Sequence, residues 1–245
     1  MLSKPTEVAK QLFDDRYPNA RVLFLAGSIV RGEGTPFSDL DLVVIFDQLP
    51  AAYRESFHFQ DFAIEAFVHD PETLNYFFFE VDGPSGIPSL AQMILEGIEI
   101  PQSNDLSRSL KQLATSVMQL GPPALSEEQV CKMRYNITNL VDDIRKPRSK
   151  VELVAAGTEL YAELADFYFR TNSFWSAKGK SIPRILKQVD AELCSRYCNS
   201  FEDLFVHGQP ESVITLAEEI LSRTGGFLFD GHTLCAPESW RKPSA

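Results

Sequence analysis

Long apolar runs are missing from this sequence: none approaches the roughly 20 residues that a helix needs to cross a bilayer. Its opening, MLSKPTEVAKQLFDD, is polar and amphipathic rather than basic and then apolar, so it does not read as a signal peptide. These two absences predict a cytoplasmic protein with no membrane partner. Cysteine is sparse. Cys131, Cys194, Cys198 and Cys235 form no C-x-x-C, and the one close pair has no histidine beside it, which predicts reduced thiols rather than a zinc site or a disulfide. His58, His69, His207 and His232 lie apart, without metal-ligand spacing. Positive charge is also short: 23 Lys and Arg stand against 34 Asp and Glu, for a net charge of −11. That balance repels a phosphate backbone and argues against a nucleic-acid partner, and it suits a cationic or neutral small molecule.

What is present is a chain of 245 residues, 44% hydrophobic, which is enough for a sizeable core and excludes overall disorder. The first hundred residues alternate strands with short helices, whereas the remainder is almost continuous helix. The expected fold class is therefore α/β with a small mixed β-sheet over residues 1–100, followed by an all-helical domain over 101–245. Residues 6–16 place Val8, Leu12 and Phe13 on one helical face, and Tyr17-Pro18-Asn19 ends that helix. Val22 to Ala26 reads as a buried strand, 39–46 as a second and 62–68 as a third, with a polar, aromatic, hairpin-like connection before the third. Helices are expected over 71–80 and 88–98, and then over 104–119, 126–145, 150–171, 181–197 and 210–223, with Ser126 as an N-cap.

The chemistry is concentrated in Gly27-Ser28, ten further residues, and Asp39-Leu40-Asp41, with Glu65 on the next strand. Alternate residues of a strand point to one side, so Asp39 and Asp41 project together, about 6–7 Å apart along the chain. Two carboxylates so close demand a compensating base or a hard cation, and Glu65 can complete a cluster of three if its strand lies beside the second. Gly27 allows close backbone approach, Ser28 offers a hydroxyl, and Arg31 and Ser38 add donors, which together fit a triphosphate. The chemistry these residues imply is phosphoryl or nucleotidyl transfer, with Mg²⁺ held by the carboxylates.

The stretch GSIVRGEGTPFSDLDLVVIF resembles the signature of the DNA polymerase β-like nucleotidyltransferase superfamily, including the serine directly before the first aspartate. The motif covers about residues 20–70; within that superfamily, the chain length, the later glutamate in an apolar strand and the helical second half are similar to the antibiotic nucleotidyltransferases, especially the aminoglycoside adenylyltransferases. The resemblance implies an N-terminal nucleotidyltransferase domain and an enzyme of antibiotic resistance. It would move a nucleoside monophosphate from ATP or another nucleotide to a hydroxyl of a small acceptor, releasing pyrophosphate. It also implies two Mg²⁺ ions on Asp39, Asp41 and Glu65, with Glu65 as catalytic base. The segment from Tyr168 to Asn172, followed by Lys178-Gly179-Lys180-Ser181, is similar to the helix, glycine turn and lysines by which such enzymes reach nucleotide phosphates. The resemblance implies that role for Lys180 first and Lys178 second, against the alternative of a solvated basic turn at a helix start.

Residues for the acceptor stay open. Glu159, Glu163 and Asp166 fall at i, i+4 and i+7 of one helix and can face a polycation, although a solvated face is the more common use of such a stripe. Other functional readings are an antitoxin-like regulatory module on the same fold, or a protein or RNA acceptor. Arg134-Tyr135-Asn136-Ile137-Thr138-Asn139 starts the Arg-to-His pattern of the ribonuclease partners of such modules, but no histidine follows at a suitable distance. Nucleotide base, oligomeric state and any protein partner leave no motif.

Overall fold

A computed structural model describes residues 2–241 and divides the chain into two compact units, Met1–Pro123 and Ala124–Ala245. The first unit opens with helix α1 (Ser3–Asp15), whose Pro5, Val8, Ala9 and Leu12 are buried on one stripe, the pattern of a helix laid on a sheet. Each large apolar side chain so buried contributes about 1.5–3 kcal/mol. Strand β1 (Val22–Ala26) is buried at every position, because it has a neighbouring strand on each side and helices over both faces. Strands β2 (Leu40–Ile45), β3 (Tyr53–Phe59), β4 (Phe62–His69) and β5 (Ile98–Ile100) complete a five-stranded sheet in the order β3-β4-β2-β1-β5. Only β2 and β4 run parallel, and the other pairs are antiparallel, so the sheet is mixed as expected.

The two sheet faces follow from the period of two. Leu40, Leu42 and Val44 of β2 join Ile64, Ala66 and Val68 of β4 in one core with Val8 and Leu12 of α1. The alternate residues, Asp41 and Glu65 among them, point to the opposite face. There Phe24 and Val43 are buried, and helix α5 (Ser89–Glu96) packs on β1 and β2.

The connection before the third expected strand is itself mostly strand. In β3, Glu55, Phe57 and Phe59 are half-buried toward the α1 side, while Arg54, Ser56 and His58 are exposed. The helix expected over 88–98 ends sooner, at Glu96, because Gly97 turns extended and leads into β5. A Cβ at Gly97 would come within 2.8 Å of Phe24 Cβ and 2.7 Å of the Met93 carbonyl oxygen, so only glycine admits this turn. The helix expected over 71–80 starts as α3 (Pro71–Tyr76), capped reciprocally by Asp70 and Thr73. It widens to a π-helical turn over Phe77–Asp82 and finishes as α4 (Gly83–Ser85). Asp82 is buried there and accepts from the Leu90 amide at 3.2 Å. Helix α6 (Asp105–Leu120), capped by Asn104, packs against α5 within this unit.

The second unit is all helical: α7 (Glu127–Arg145), α8 (Lys150–Thr171), α9 (Ile182–Val189), α10 (Ala191–Glu202) and α11 (Glu211–Ser222). Ser126 caps α7, as its position before Glu127 predicts. Ile137, Val141, Leu160, Leu164, Phe167, Tyr197 and Phe201 belong to a single core. The helix expected over 181–197 is broken at Asp190. This residue is extended, accepts from the Leu193 amide as the cap of α10, and takes a 3.0 Å hydrogen bond from the Tyr168 hydroxyl. No helix among the described residues is long and apolar enough to cross a membrane, and all four cysteines are free.

Candidate active site

The site forms where β1 ends beside β2. Asp41 lies opposite Ala26 on one side and Glu65 on the other, so the residue after Ala26 comes up against the Asp41 side chain. That residue is Gly27, the first of the short helix α2 (Gly27–Val30). Its φ is +80°, and a Cβ there would sit 1.8 Å from Asp41 Oδ2. Glycine is thus required twice, by the left-handed backbone and by the space that the carboxylate fills.

The parallel register of β2 and β4 puts Asp41 and Glu65 side by side on one face, and Asp39 joins them from just ahead of β2. All three are half-buried, and each offers a carboxylate oxygen within 4.8 Å of the others. Burial first, and then the charges of Asp39 and Glu65, push the Asp41 carboxyl up to about 6 from its ordinary 3.8; Arg31 pulls the other way. Three carboxylates crowded this closely, with only oxygen donors, fit a hard divalent cation.

Around this cluster the loop from Gly27 to Asp39 is tied at both ends. Ser28 and Ser38 are bonded through their hydroxyls at 3.2 Å, and Ser38 Oγ accepts from the Thr35 amide at 2.9 Å. Arg31 donates to Glu33 at 2.9 Å and to Glu96 at 2.6 Å. Glu96 also accepts from the Gly27 amide at 3.0 Å. The Gly27 amide is therefore bonded to a carboxylate, and the close approach that Gly27 permits is to Asp41. Ile29 and Gly34 pack together across the same loop, for a Cβ at Gly34 would come within 2.9 Å of Ile29 Cγ1.

Glu65 has a second partner. Arg54 on β3 is ion-paired with it, and the guanidinium lies 5.0 Å from the centre of the Phe67 ring. Neither Arg54 nor Glu96 is apparent as a site residue from the sequence. For Glu96 a signal exists, since an acid in the last turn of an apolar helix opposes the helix dipole and needs a cationic or N–H partner. Arg54 stands at an exposed position of an edge strand, so nothing local marks it out.

The remaining expected residues lie in the helical unit. Lys178 and Lys180 are exposed around the short 3-10 turn Gly179–Ser181. Glu159 is exposed, while Glu163 and Asp166 are half-buried on α8. Burial, followed by the charges of Asp166 and Glu159, pushes the Glu163 carboxyl up, so the acidic stripe does share one field.

No curated protein matches this chain in sequence. Among solved structures, a nucleotidyltransferase-like protein from Exiguobacterium sibiricum is similar over 89% of this chain and 74% of its own, at 13% identity and a TM-score of 0.42. The family model for the nucleotidyltransferase domain matches residues 7–96, a span that runs from α1 through Gly27, Asp39, Asp41 and Glu65 to Glu96. The match to the nucleotidyltransferase domain thus takes in β1 to β4 and all three carboxylates and leaves the helical unit outside it.

Proposed function

We propose that the chain is a metal-dependent nucleotidyltransferase that moves a nucleoside monophosphate from a nucleoside triphosphate, ATP in the first instance, to a hydroxyl of a small acceptor of the aminoglycoside type. The observation that carries this reading is the convergence of Asp39, Asp41 and Glu65 within 4.8 Å beside the Gly27–Ser28 turn, inside the span that matches the nucleotidyltransferase domain. Asp39, Asp41 and Glu65 would hold the metal, Mg²⁺, which when bound supplies positive charge to the polyphosphate as pyrophosphate leaves.

The residues of the chain do the rest. The acceptor oxygen attacks the α-phosphorus, the bond between the α-phosphorus and the bridging oxygen breaks, and the electron pair leaves with pyrophosphate. Glu65 accepts the hydroxyl proton. Ser28 and Ser38 offer their hydroxyls to the phosphates at the mouth of the loop, with Arg31 behind them. The phosphate role of Lys178 and Lys180, and the acceptor role of Glu159, Glu163 and Asp166, belong to the same proposal, supported by likeness of sequence and by the net charge of −11.

Pyrophosphate release is the test: each nucleoside triphosphate is offered with Mg²⁺ and a panel of aminoglycosides and lincosamides, and mass spectrometry is run on the acceptors. A nucleotidyl adduct on one compound, absent for Asp39→Asn with Asp41→Asn, supports the reading. Glu65→Gln is expected to bind nucleotide and to lose about 10²- to 10⁴-fold in turnover, the usual worth of a general base. A double aspartate variant with unchanged Mg-nucleotide binding overturns the metal assignment, and a panel without adducts overturns the small-molecule acceptor.

A further inference from the structure

Glu65 serves two partners at once. It faces Asp39 and Asp41 on one side, and on the other it is ion-paired with Arg54. Neither aspartate has an ion pair within 4 Å among the described residues, so the guanidinium is matched to this one carboxylate of the three. The pairing is built into the sheet. Ser56 lies opposite Glu65 and Arg54 opposite Phe67, so Arg54 reaches Glu65 diagonally along the shared face of β3 and β4. The two side chains differ in freedom. Glu65 is 21% exposed in a central strand, whereas Arg54 is 60% exposed on the edge strand, with the Phe67 ring beneath its guanidinium.

We propose that Arg54 is a positioning residue that competes with a divalent cation for Glu65. This rests on the reading of the three carboxylates as a metal site. The Arg54 guanidinium pairs with the Glu65 carboxylate from the β3 side and offsets its charge. A carboxylate oxygen that donates its lone pairs to a metal, or takes a proton from a hydroxyl, is weakened in both tasks by an adjacent guanidinium. When a cation binds, the guanidinium gives up Glu65 and stays over Phe67, where a cation rests favourably on the ring face. The edge position and exposure of Arg54 leave that movement open, while the backbone register keeps Glu65 fixed beside Asp41. Arg54 thereby sets how tightly the site takes its metal.

Mn²⁺ alone is the probe, with affinity read by calorimetry on the full chain, and the circular dichroism melt of each variant is recorded as a check on folding. Arg54→Gln is expected to bind Mn²⁺ about twofold to fivefold more tightly than the wild type, the worth of a partly exposed ion pair. The gain is expected to vanish when Glu65→Gln is already present, and Arg54→Lys is expected to keep the wild-type affinity to within about twofold. A gain of equal size in the Glu65→Gln background means a general field rather than competition for Glu65, and overturns the proposal. Unchanged affinity in folded Arg54→Gln does the same. If the folded wild type binds no Mn²⁺, or binds it as well after Asp39→Asn with Asp41→Asn, the metal reading itself fails and takes the proposal with it. The two failures are therefore told apart by the wild-type and aspartate controls.

Discussion

Replacing Asp41 with asparagine is expected to make the protein more stable without divalent cation and less stable with it. Burial and two neighbouring carboxylates hold the Asp41 carboxyl at about 6 instead of 3.8. At about 1.4 kcal/mol per pH unit, the ionised form costs the fold about 3 kcal/mol at most. The side chain is only half-buried, so solvent screening reduces this to about 1–2 kcal/mol. The sign follows from proton linkage. Between pH 3.8 and 6 the folded chain keeps a proton that the unfolded chain has lost, so the wild type loses stability as pH rises through that window and levels off above it. Asp41→Asn removes the dependence: the variant gains about 1–2 kcal/mol at pH 7.5 and almost nothing below pH 4. Saturating cation reverses the order, because ligand at about 100 times its dissociation constant stabilises the wild type by about 2.7 kcal/mol and the variant by little. Thermal melts in EDTA and in Mn²⁺, at pH 4 and 7.5, read all four values, with about 2–4 °C per kcal/mol for a chain of this size. A variant less stable than the wild type in EDTA at pH 7.5 would refute the electrostatic reasoning, and equal stabilisation of both proteins by Mn²⁺ would refute the metal reasoning.

Two further expectations come from neighbouring features. Gly27→Ala forces a side chain into the left-handed region, at about 1–2 kcal/mol, and drives its Cβ into Asp41 Oδ2. The carboxylate must therefore leave the cluster, and a loss of at least tenfold in Mn²⁺ affinity is expected, read by calorimetry on protein whose melt shows it folded. Asp82 lies far along the sequence from the carboxylate cluster and is held at about 6 by burial. Asp82→Asn keeps an oxygen for the Leu90 amide and is expected to stabilise the chain by about 1–2 kcal/mol above pH 6, fading below pH 4. Urea unfolding at the two pH values checks it, and a gain that is independent of pH would mean that the charge is not the cause.

The elements that were legible in the sequence are those whose signal is local and repeated. The stripe of Val8 and Leu12, the unbroken apolar run of β1 and the alternation at Asp39-Leu40-Asp41 each specify an element and its buried face. Ser126 before Glu127 marks a helix start through the backbone donors that it satisfies. What failed was local in appearance but decided at a distance. Ile98-Glu99-Ile100 continues the apolar pattern of α5, and only the contact between Gly97 and Phe24 turns it into an edge strand paired with β1. Asp190 sits within a helical pattern, yet its side chain does more as the cap of a new helix, with Tyr168 bonded to it, than as one more helical residue.

The same division runs through the site. Gly27, Asp39 and Asp41 lie within 15 consecutive positions, and their spacing carries the chemistry because a strand turns residues i and i+2 to one side. Glu65 becomes their neighbour only through the parallel pairing of β2 with β4, which its apolar strand suggests but does not by itself require. Arg54 and Glu96 lie a further step out, for each is defined by the charge that it meets rather than by its own surroundings. Glu96 closes the Gly27 turn from the end of a helix 69 residues later, and Arg54 reaches Glu65 across a hairpin. A motif records the groups that must hold a fixed spacing along the chain. The groups that neutralise or hold those residues need only arrive in space, from whichever strand or helix the topology brings past them, and so they leave no spacing to read.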